Sequence, residues 1–189
     1  TGPAASFIPN GQTFTGQLSC DSLGQTVTRP FTFTMTGGVP TPASIRFDNL
    51  PGGATCTATE TTASGQTSYT ATSVVIDPLI TDPAQFPHVQ LTNDYQLAGI
   101  TVSKSVTTTA GAIPTGFHFT ASCTFLGQPI TLAAGDASFT LNDGGSKTIT
   151  GLPANASCTI VEDDARGPAS AVRTGTTAGS ATFTDATRT

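Results

Sequence analysis

Along much of the chain, apolar residues stand at every second position with threonine or serine between them. In the first half the pattern runs through Phe31-Thr32-Phe33-Thr34-Met35, Ser44-Ile45-Arg46-Phe47, Tyr69 to Ile76 and Val89-Gln90-Leu91-Thr92. In the second half it returns in Ile100-Thr101-Val102-Ser103-Lys104, Phe117 to Thr120, Ser138 to Leu141, Lys147 to Thr150, Cys158 to Val161 and Ala181 to Thr184. A period of two sends alternate side chains to opposite faces of a strand, and β-branched residues suit that pleated surface. Gly, Pro, Asn and Asp clusters bound the runs and mark turns. Thr61 to Gln66 and Asp77 to Pro87 read as loops, the second carrying Pro78, Pro83 and Pro87. The expected fold class is all-β.

The chain also repeats itself. Phe14-Thr15-Gly16-Gln17-Leu18-Ser19-Cys20 before Leu23-Gly24-Gln25 resembles Phe117 to Cys123 before Leu126-Gly127-Gln128. Asn49-Leu50-Pro51 through Cys56 to Glu60 resembles Gly151-Leu152-Pro153 through Cys158 to Glu162. The period is about a hundred residues, long enough for a whole domain per copy. About seven strands per copy predict two tandem Ig-like β-sandwiches, one over residues 1–96 and one over 97–189. A connection of only about four residues, Gln96 to Gly99, predicts a semi-rigid tandem. The proline-marked loop of the first copy has no counterpart in the second.

Composition narrows the function classes. Charged residues make up 10% of the 189, the formal net charge is -5, and lysines number two, Lys104 and Lys147. No basic surface is available to neutralise a phosphate backbone, so nucleic acid is excluded as a partner. No apolar run is long enough to span a bilayer, and Thr1-Gly2-Pro3 does not open a leader pattern, so a mature extracellular segment without membrane insertion is expected.

The four cysteines, Cys20, Cys56, Cys123 and Cys158, form no CxxC pairs and do not have the close ligand spacing of a zinc site. Disulfides are the expected use, which implies an oxidising compartment. Four cysteines allow three connectivities; the duplication favours pairing within each copy, Cys20 with Cys56 and Cys123 with Cys158. Such a closed loop contributes on the order of 3 kcal/mol.

One constellation stands out in the second copy. Lys104, Glu162 and Asp185 each interrupt an otherwise uncharged strand pattern. Period two gives Lys104 the parity of Ile100 and Val102, Glu162 that of Ile160, and Asp185 that of Phe183. In a dry interior three isolated charges are costly, so a neutral amine beside neutral carboxyls becomes the favoured arrangement. Lys104 then stands as a nucleophile toward the Asp185 carboxyl carbon. Glu162 would polarise the carbonyl and shuttle protons as water leaves, and the product is an intramolecular isopeptide bond.

These residues resemble the Cna B-type, Ig-like repeat domains of Gram-positive, including actinobacterial, surface adhesins and pilins. A first strand ending Ser-Lys is similar to Ile100 to Lys104; a strand ending Val-Glu before a Gly-Pro turn is similar to Val161-Glu162 before Gly167-Pro168; and a last-strand Asn or Asp is similar to Asp185. The resemblance implies a Lys104–Asp185 isopeptide with Glu162 as its catalyst. In the first copy Glu60 and Asn93 take the places of Glu162 and Asp185. The place of Lys104 falls near Thr1, so that site is incomplete. Either the lysine strand precedes Thr1, or the disulfide serves alone, or another subunit supplies a strand by β-augmentation.

His88 and His118 lie in different copies with no adjacent nucleophile pattern and read as surface or packing residues; Asp136, Asp143, Asp163 and Asp164 lack EF-hand spacing and read as turn residues. No metal and no cofactor are implied. The expected function is a non-enzymatic structural repeat module of a bacterial cell-surface adhesin or pilus, partnered by neighbouring repeats of the same surface protein. The alternative is a ligand-binding adhesin tip that recognises a host protein or glycan through the Asp77 to Pro87 loop.

Overall fold

The computed structural model describes residues 1–62, 65–108, 112–113, 115–162, 172–176 and 180–188; over 107–108, 172–176 and 180–188 it is the backbone that is described. The chain divides into two compact units, Thr1–Asp94 and Tyr95–Thr189, here domains 1 and 2. Both are built of strands, and among the described residues no helix is long and apolar enough to cross a membrane.

Among its described residues domain 1 holds seven strands: β1 (Thr13–Ser22), β2 (Gln25–Thr36), β3 (Val39–Thr41), β4 (Thr55–Glu60), β5 (Ser68–Ala71), β6 (Ser73–Val75) and β7 (Leu91–Asp94). Five form one sheet in the order β3-β2-β1-β4-β6, and β5 pairs with β7. Strict alternation in β1 buries Phe14, Leu18 and Cys20; the last two gather with Phe31, Ala54, Cys56 and Ala58 into the core. The turn between β1 and β2 has only Leu23 and Gly24 at its tip, with φ of 49° and 78°. Left-handed conformation at both positions matches the twist of a two-residue hairpin.

Domain 2 holds β8 (Leu97–Thr108), β9 (Phe117–Phe125), β10 (Gln128–Ile130), a four-residue helix α1 (Ala134–Ala137), β11 (Ser138–Leu141), β12 (Ser146–Pro153), β13 (Ser157–Glu162), β14 (Val172–Thr176) and β15 (Ser180–Arg188). One sheet runs β10-β9-β13-β14 with β11 also on β9, and the other runs β12-β8-β15. Ile100, Val102, Ile149 and Leu152 come from the second sheet, and Phe117, Phe119, Cys123, Leu141, Cys158 and Ile160 from the first. All ten pack into one core. Two sheets sharing a core face to face make a β-sandwich.

The repeat is visible in backbone conformation as well as in sequence. Leu126 and Gly127 close the β9–β10 hairpin with φ of 50° and 76°, as Leu23 and Gly24 do in domain 1. Asn49 (58°) has Gly151 (74°) as its counterpart, and Gly53 (77°) has Asn155 (69°). Gly and Asn exchange because they are the residues that enter the left-handed region most cheaply.

Three local expectations differ. Ser44 to Phe47 forms no strand, although its counterpart Ser146 to Ile149 lies in β12 and pairs with β8. Among the described strands of residues 1–94 none matches β8, and alternation without a partner cannot make a ladder. Tyr69 to Ile76 is divided at Thr72, with β5 pairing to β7 and β6 to β4. Leu97 to Gly99, expected as linker, belongs to β8: Leu97 stands opposite Pro153 and Ala98 opposite Leu152.

Candidate functional site

The buried face of β8 carries Ile100, Val102 and then Lys104, which is 2% exposed. On the facing sheet, β13 buries Cys158, Ile160 and then Glu162, 8% exposed. The two polar residues close the ends of two apolar rows, so packing the sheets together brings them into contact. Lys104 Nζ donates to Glu162 Oε1 at 2.8 Å and to Oε2 at 3.0 Å. The ammonium also stands 4.4 Å from the centroid of the Phe117 ring, whose electron-rich face attracts a cation. Phe119, directly opposite Glu162 on β9, is fully buried and stacks on Phe139 at 5.5 Å. Removing either charged partner leaves the other buried without that counter-charge, a penalty of roughly 3–5 kcal/mol.

The strand bearing Lys104 is pinned on both sides. Beyond the β8–β12 register, the Lys104 N–H donates to Gly145 O and Gly144 N donates to Lys104 O, each at 2.9 Å. Two residues on, Val106 N donates to Asp143 Oδ1 at 2.8 Å. On its other edge β8 pairs in parallel with β15, placing Phe183 beside Lys104 and Asp185 beside Val106. The Asp185 position is therefore one strand across and two residues along from Lys104, on the same alternation. The Asp185 side chain lies outside the described residues, as do the residues Asp163 and Asp164.

In domain 1, Glu60 ends β4 as Glu162 ends β13, and Asn93 lies on β7. Asn93 Nδ2 donates to Glu60 Oε2 at 2.8 Å. Asn93 Oδ1 is buried, and no donor among the described residues reaches it. The Tyr69 hydroxyl accepts from Glu60 N and donates to Ala58 O, both at 3.1 Å. Thr1 sits here too, its amino group 2.6 Å from Asn93 O. Gly16 faces Glu60 in the β1–β4 register, the place Phe119 takes beside Glu162. A Cβ at Gly16 would come within 2.3 Å of both the Phe31 ring and Thr59 O, so the Phe31 ring fills the space that Phe119 fills in the other copy.

Each cysteine pair is bonded between neighbouring strands of one sheet, Cys20 opposite Cys56 and Cys123 opposite Cys158, with Cα separations of 4.0 and 4.1 Å. The direct opposition of the residues makes the bridge short. Sequence separations of 36 and 35 make it a tie across a long loop.

Two features escaped sequence reasoning. Phe117 was identifiable as a strand residue, but its place against the Lys104 ammonium depends on how the two sheets face each other. His118 Nε2 lies 2.8 Å from Ser138 Oγ, a contact made across the β9–β11 ladder by residues 20 apart in sequence, at an exposed position. Asp136 pairs with Lys147 at 2.8 Å and Asp143 caps the Val106 N–H, so both acids serve the scaffold. Among the described residues no group of His, Cys, Asp and Glu has the arrangement to hold a metal ion.

A comparison with curated proteins finds no match. Among solved structures, the major pilin of Streptococcus pyogenes aligns over 97% of this chain and 94% of its own at 18% identity, with a TM-score of 0.38. A pilus-presented adhesin aligns at 23% identity and a TM-score of 0.36, covering 50% of this chain but only 29% of the adhesin. A Mobiluncus mulieris adhesin, described as containing intramolecular disulfide, isopeptide and ester bond cross-links, aligns over 95% of this chain and 87% of its own at 15% identity, with a TM-score of 0.33. One protein family matches the chain twice, over residues 1–96 and again over 100–189, and the chain belongs to it: the family described as a domain of unknown function, DUF5979.

Proposed function

We propose that the chain is a two-domain, non-enzymatic structural module of a bacterial cell-surface adhesin or pilus, and that domain 2 locks itself shut with a Lys104–Asp185 isopeptide bond. The observation that carries this reading is an amine at 2% exposure, bonded to a buried Glu162 carboxylate, on a strand that lies directly beside the one carrying Asp185.

In the proposed step the Lys104 ammonium gives one proton to Glu162 and the resulting amine attacks Cγ of the Asp185 carboxylate. Glu162 relays to the departing oxygen that proton and the second one that the nitrogen loses, so one C–N bond forms, one C–O bond breaks and one water leaves. Exclusion of water and fixed strand register supply the orientation that makes an unactivated carboxyl reactive. Each molecule performs the reaction once, which is why the module is not an enzyme.

The mechanical consequence follows from topology. β8 and β15 are the first and last strands of domain 2 and lie side by side in parallel, so tension on the two ends shears this pair first. A covalent bond between them removes that route, and the Cys123–Cys158 bridge ties β9 to β13 in the opposite sheet. The disulfides support an oxidising, extracellular setting, and the resemblance to Cna B-type repeats supports the cell surface and neighbouring repeats as partners.

Intact-mass measurement and peptide mapping of the reduced, denatured protein test this. The expected result is a mass lower by one water and a branched peptide joining Lys104 to Asp185; the full unreacted mass, with Lys104 and Asp185 in separate linear peptides, would falsify it.

A further inference from the structure

A four-residue turn, Asn142-Asp143-Gly144-Gly145, joins β11 to β12 and so crosses from one sheet of domain 2 to the other. It grips both strands on which the Lys104 site is assembled. Toward β8, Gly145 O accepts from Lys104 N and Gly144 N donates to Lys104 O, each at 2.9 Å. The Asp143 carboxylate reaches one rung further and accepts from Val106 N at 2.8 Å. Toward β9, Asn142 Oδ1 accepts from Gly116 N at 2.8 Å, one residue before Phe117, whose ring stands against the Lys104 ammonium. Gly144 permits this compact path, since its φ of 72° lies in the left-handed region.

Val106 is where the grip bears on chemistry. The β8–β12 register ends with Ser103 opposite Ser146, and past Lys104 the side chain of Asp143 takes the place of a ladder carbonyl. On the other edge of β8, Val106 stands opposite Asp185 in the parallel register with β15. One carboxylate therefore holds the rung of β8 that faces the residue proposed to react with Lys104. A hydrogen bond to an ionised acceptor is roughly twice as strong as one between neutral groups, which suits a single bond with this task. The corresponding residues of domain 1, Pro40-Thr41-Pro42-Ala43, include neither an acid nor an amide, so the grip is not a general requirement of the repeat.

We propose that Asp143 is a positioning residue for the Lys104–Asp185 reaction. By holding Val106 it keeps β8 in the register with β15 at which the Lys104 amine can reach the Asp185 carboxyl. Asn142, on Gly116, keeps the Phe117 ring at the same level. The inference rests on the cross-link proposed for domain 2 and adds to it the group that sets its rate. The described hydrogen bond of Asp143 goes to backbone, so Asp143 acts through β8 on orientation and not on proton transfer. Orientation matters because a displacement of about 1 Å at a reacting pair can cost two orders of magnitude in rate.

The test follows the reaction in time. The full chain is made by cell-free synthesis under oxidising conditions, and its protease-resistant fraction is sampled at intervals, quenched in acid, reduced and read by intact mass. The wild-type chain should lose one water, and Asp143→Ala should slow that loss by roughly ten- to a hundredfold. Asp143→Asn should restore the rate to within about threefold, because a carboxamide oxygen accepts the same bond more weakly. Asp143→Glu keeps the charge but carries the oxygens one methylene further, and should be slower than Asp143→Asn. Ile130→Ala removes a partly buried side chain at the other end of β9 and lowers stability, yet should leave the rate of the folded fraction unchanged. Such a pattern separates positioning from a merely structural role, which would slow the alanine variants alike. Asp143→Ala at the wild-type rate, no rescue by Asp143→Asn, or Ile130→Ala as slow as Asp143→Ala overturns this inference and leaves the cross-link standing. If Asp143→Ala yields no folded chain, Asp143→Glu reacting as fast as Asp143→Asn overturns it instead. A wild-type chain that keeps its full mass overturns the cross-link and this inference together.

Discussion

Glu60 and Glu162 end matching strands of two repeats, but their surroundings differ. Glu162 meets a lysine on β8 and is 8% exposed. Glu60 meets the carboxamide of Asn93, is only half-buried, and has beside it a buried Asn93 oxygen without a donor among the described residues. The same local sequence, Cys-Thr followed by two residues and a glutamate, therefore supports either an ion pair between two sheets or a carboxamide-to-carboxylate hydrogen bond. Among the described strands, domain 2 has the sheet β12-β8-β15 beside its glutamate, whereas in domain 1 the strand carrying Asn93 pairs with β5. A glutamate in a shared strand register is thus insufficient to define the site; the partner strand defines it.

The largest test of this comparison is Glu162→Ala. It leaves Lys104 buried without its Glu162 counter-charge and, on the proposed mechanism, also prevents the cross-link. Domain 2 should lose roughly 3–5 kcal/mol of stability from the broken pair alone. In chemical denaturation with amide exchange as the domain-resolved readout, protection in β8 and β13 should fall while β1 and β4 hold; equal loss in both domains would remove the distinction drawn between them.

Next come the disulfides. Replacing both cysteines by alanine in either domain should cost about 3 kcal/mol, and by nearly the same amount in each, since the sequence separations are 36 and 35. If domain 2 retains more of its stability than domain 1 after the loss, the excess measures what the buried Lys104 site adds; a larger loss in domain 2 would argue against it.

Gly16→Ala sharpens the comparison from the side of domain 1. Its new Cβ meets the Phe31 ring and an immovable backbone carbonyl at 2.3 Å, and overpacking of this kind costs about 1–3 kcal/mol. Thermal melting should register the loss in domain 1 alone. The smallest effect belongs to Glu60→Ala, expected at about 1 kcal/mol because it removes a half-buried acceptor of one hydrogen bond from Asn93 Nδ2. A loss as large as that of Glu162→Ala would mean that the two glutamates are held alike.

Alternation along Ile100, Val102 and Lys104 sufficed to put the lysine on the core side of its strand, and the same parity argument applied to Ile160 and Glu162. The duplication sufficed to pair the cysteines within copies. Other features were hidden because they depend on partners distant in the chain. Ser44 to Phe47 carries the alternation of a strand and is not one. Leu97 to Gly99 carries little alternation and is strand, because Leu152 and Pro153 offer it a ladder. The Phe117 contact with the Lys104 ammonium and the His118–Ser138 hydrogen bond come from neighbouring or facing strands, and no local pattern reports them.

By itself, then, the order of residues determined which side chains lie on one face, which turns enter the left-handed region and how often the unit recurs, since these follow from the two-residue period and from steric limits at single positions. Only the tertiary structure decided which strands are neighbours, and hence that Lys104 meets Glu162 while Asn93 keeps an oxygen with no donor among the described residues. Strand pairing and sheet stacking bring together residues far apart in the chain, and the free energy of those contacts depends on the whole packed domain rather than on any segment of it.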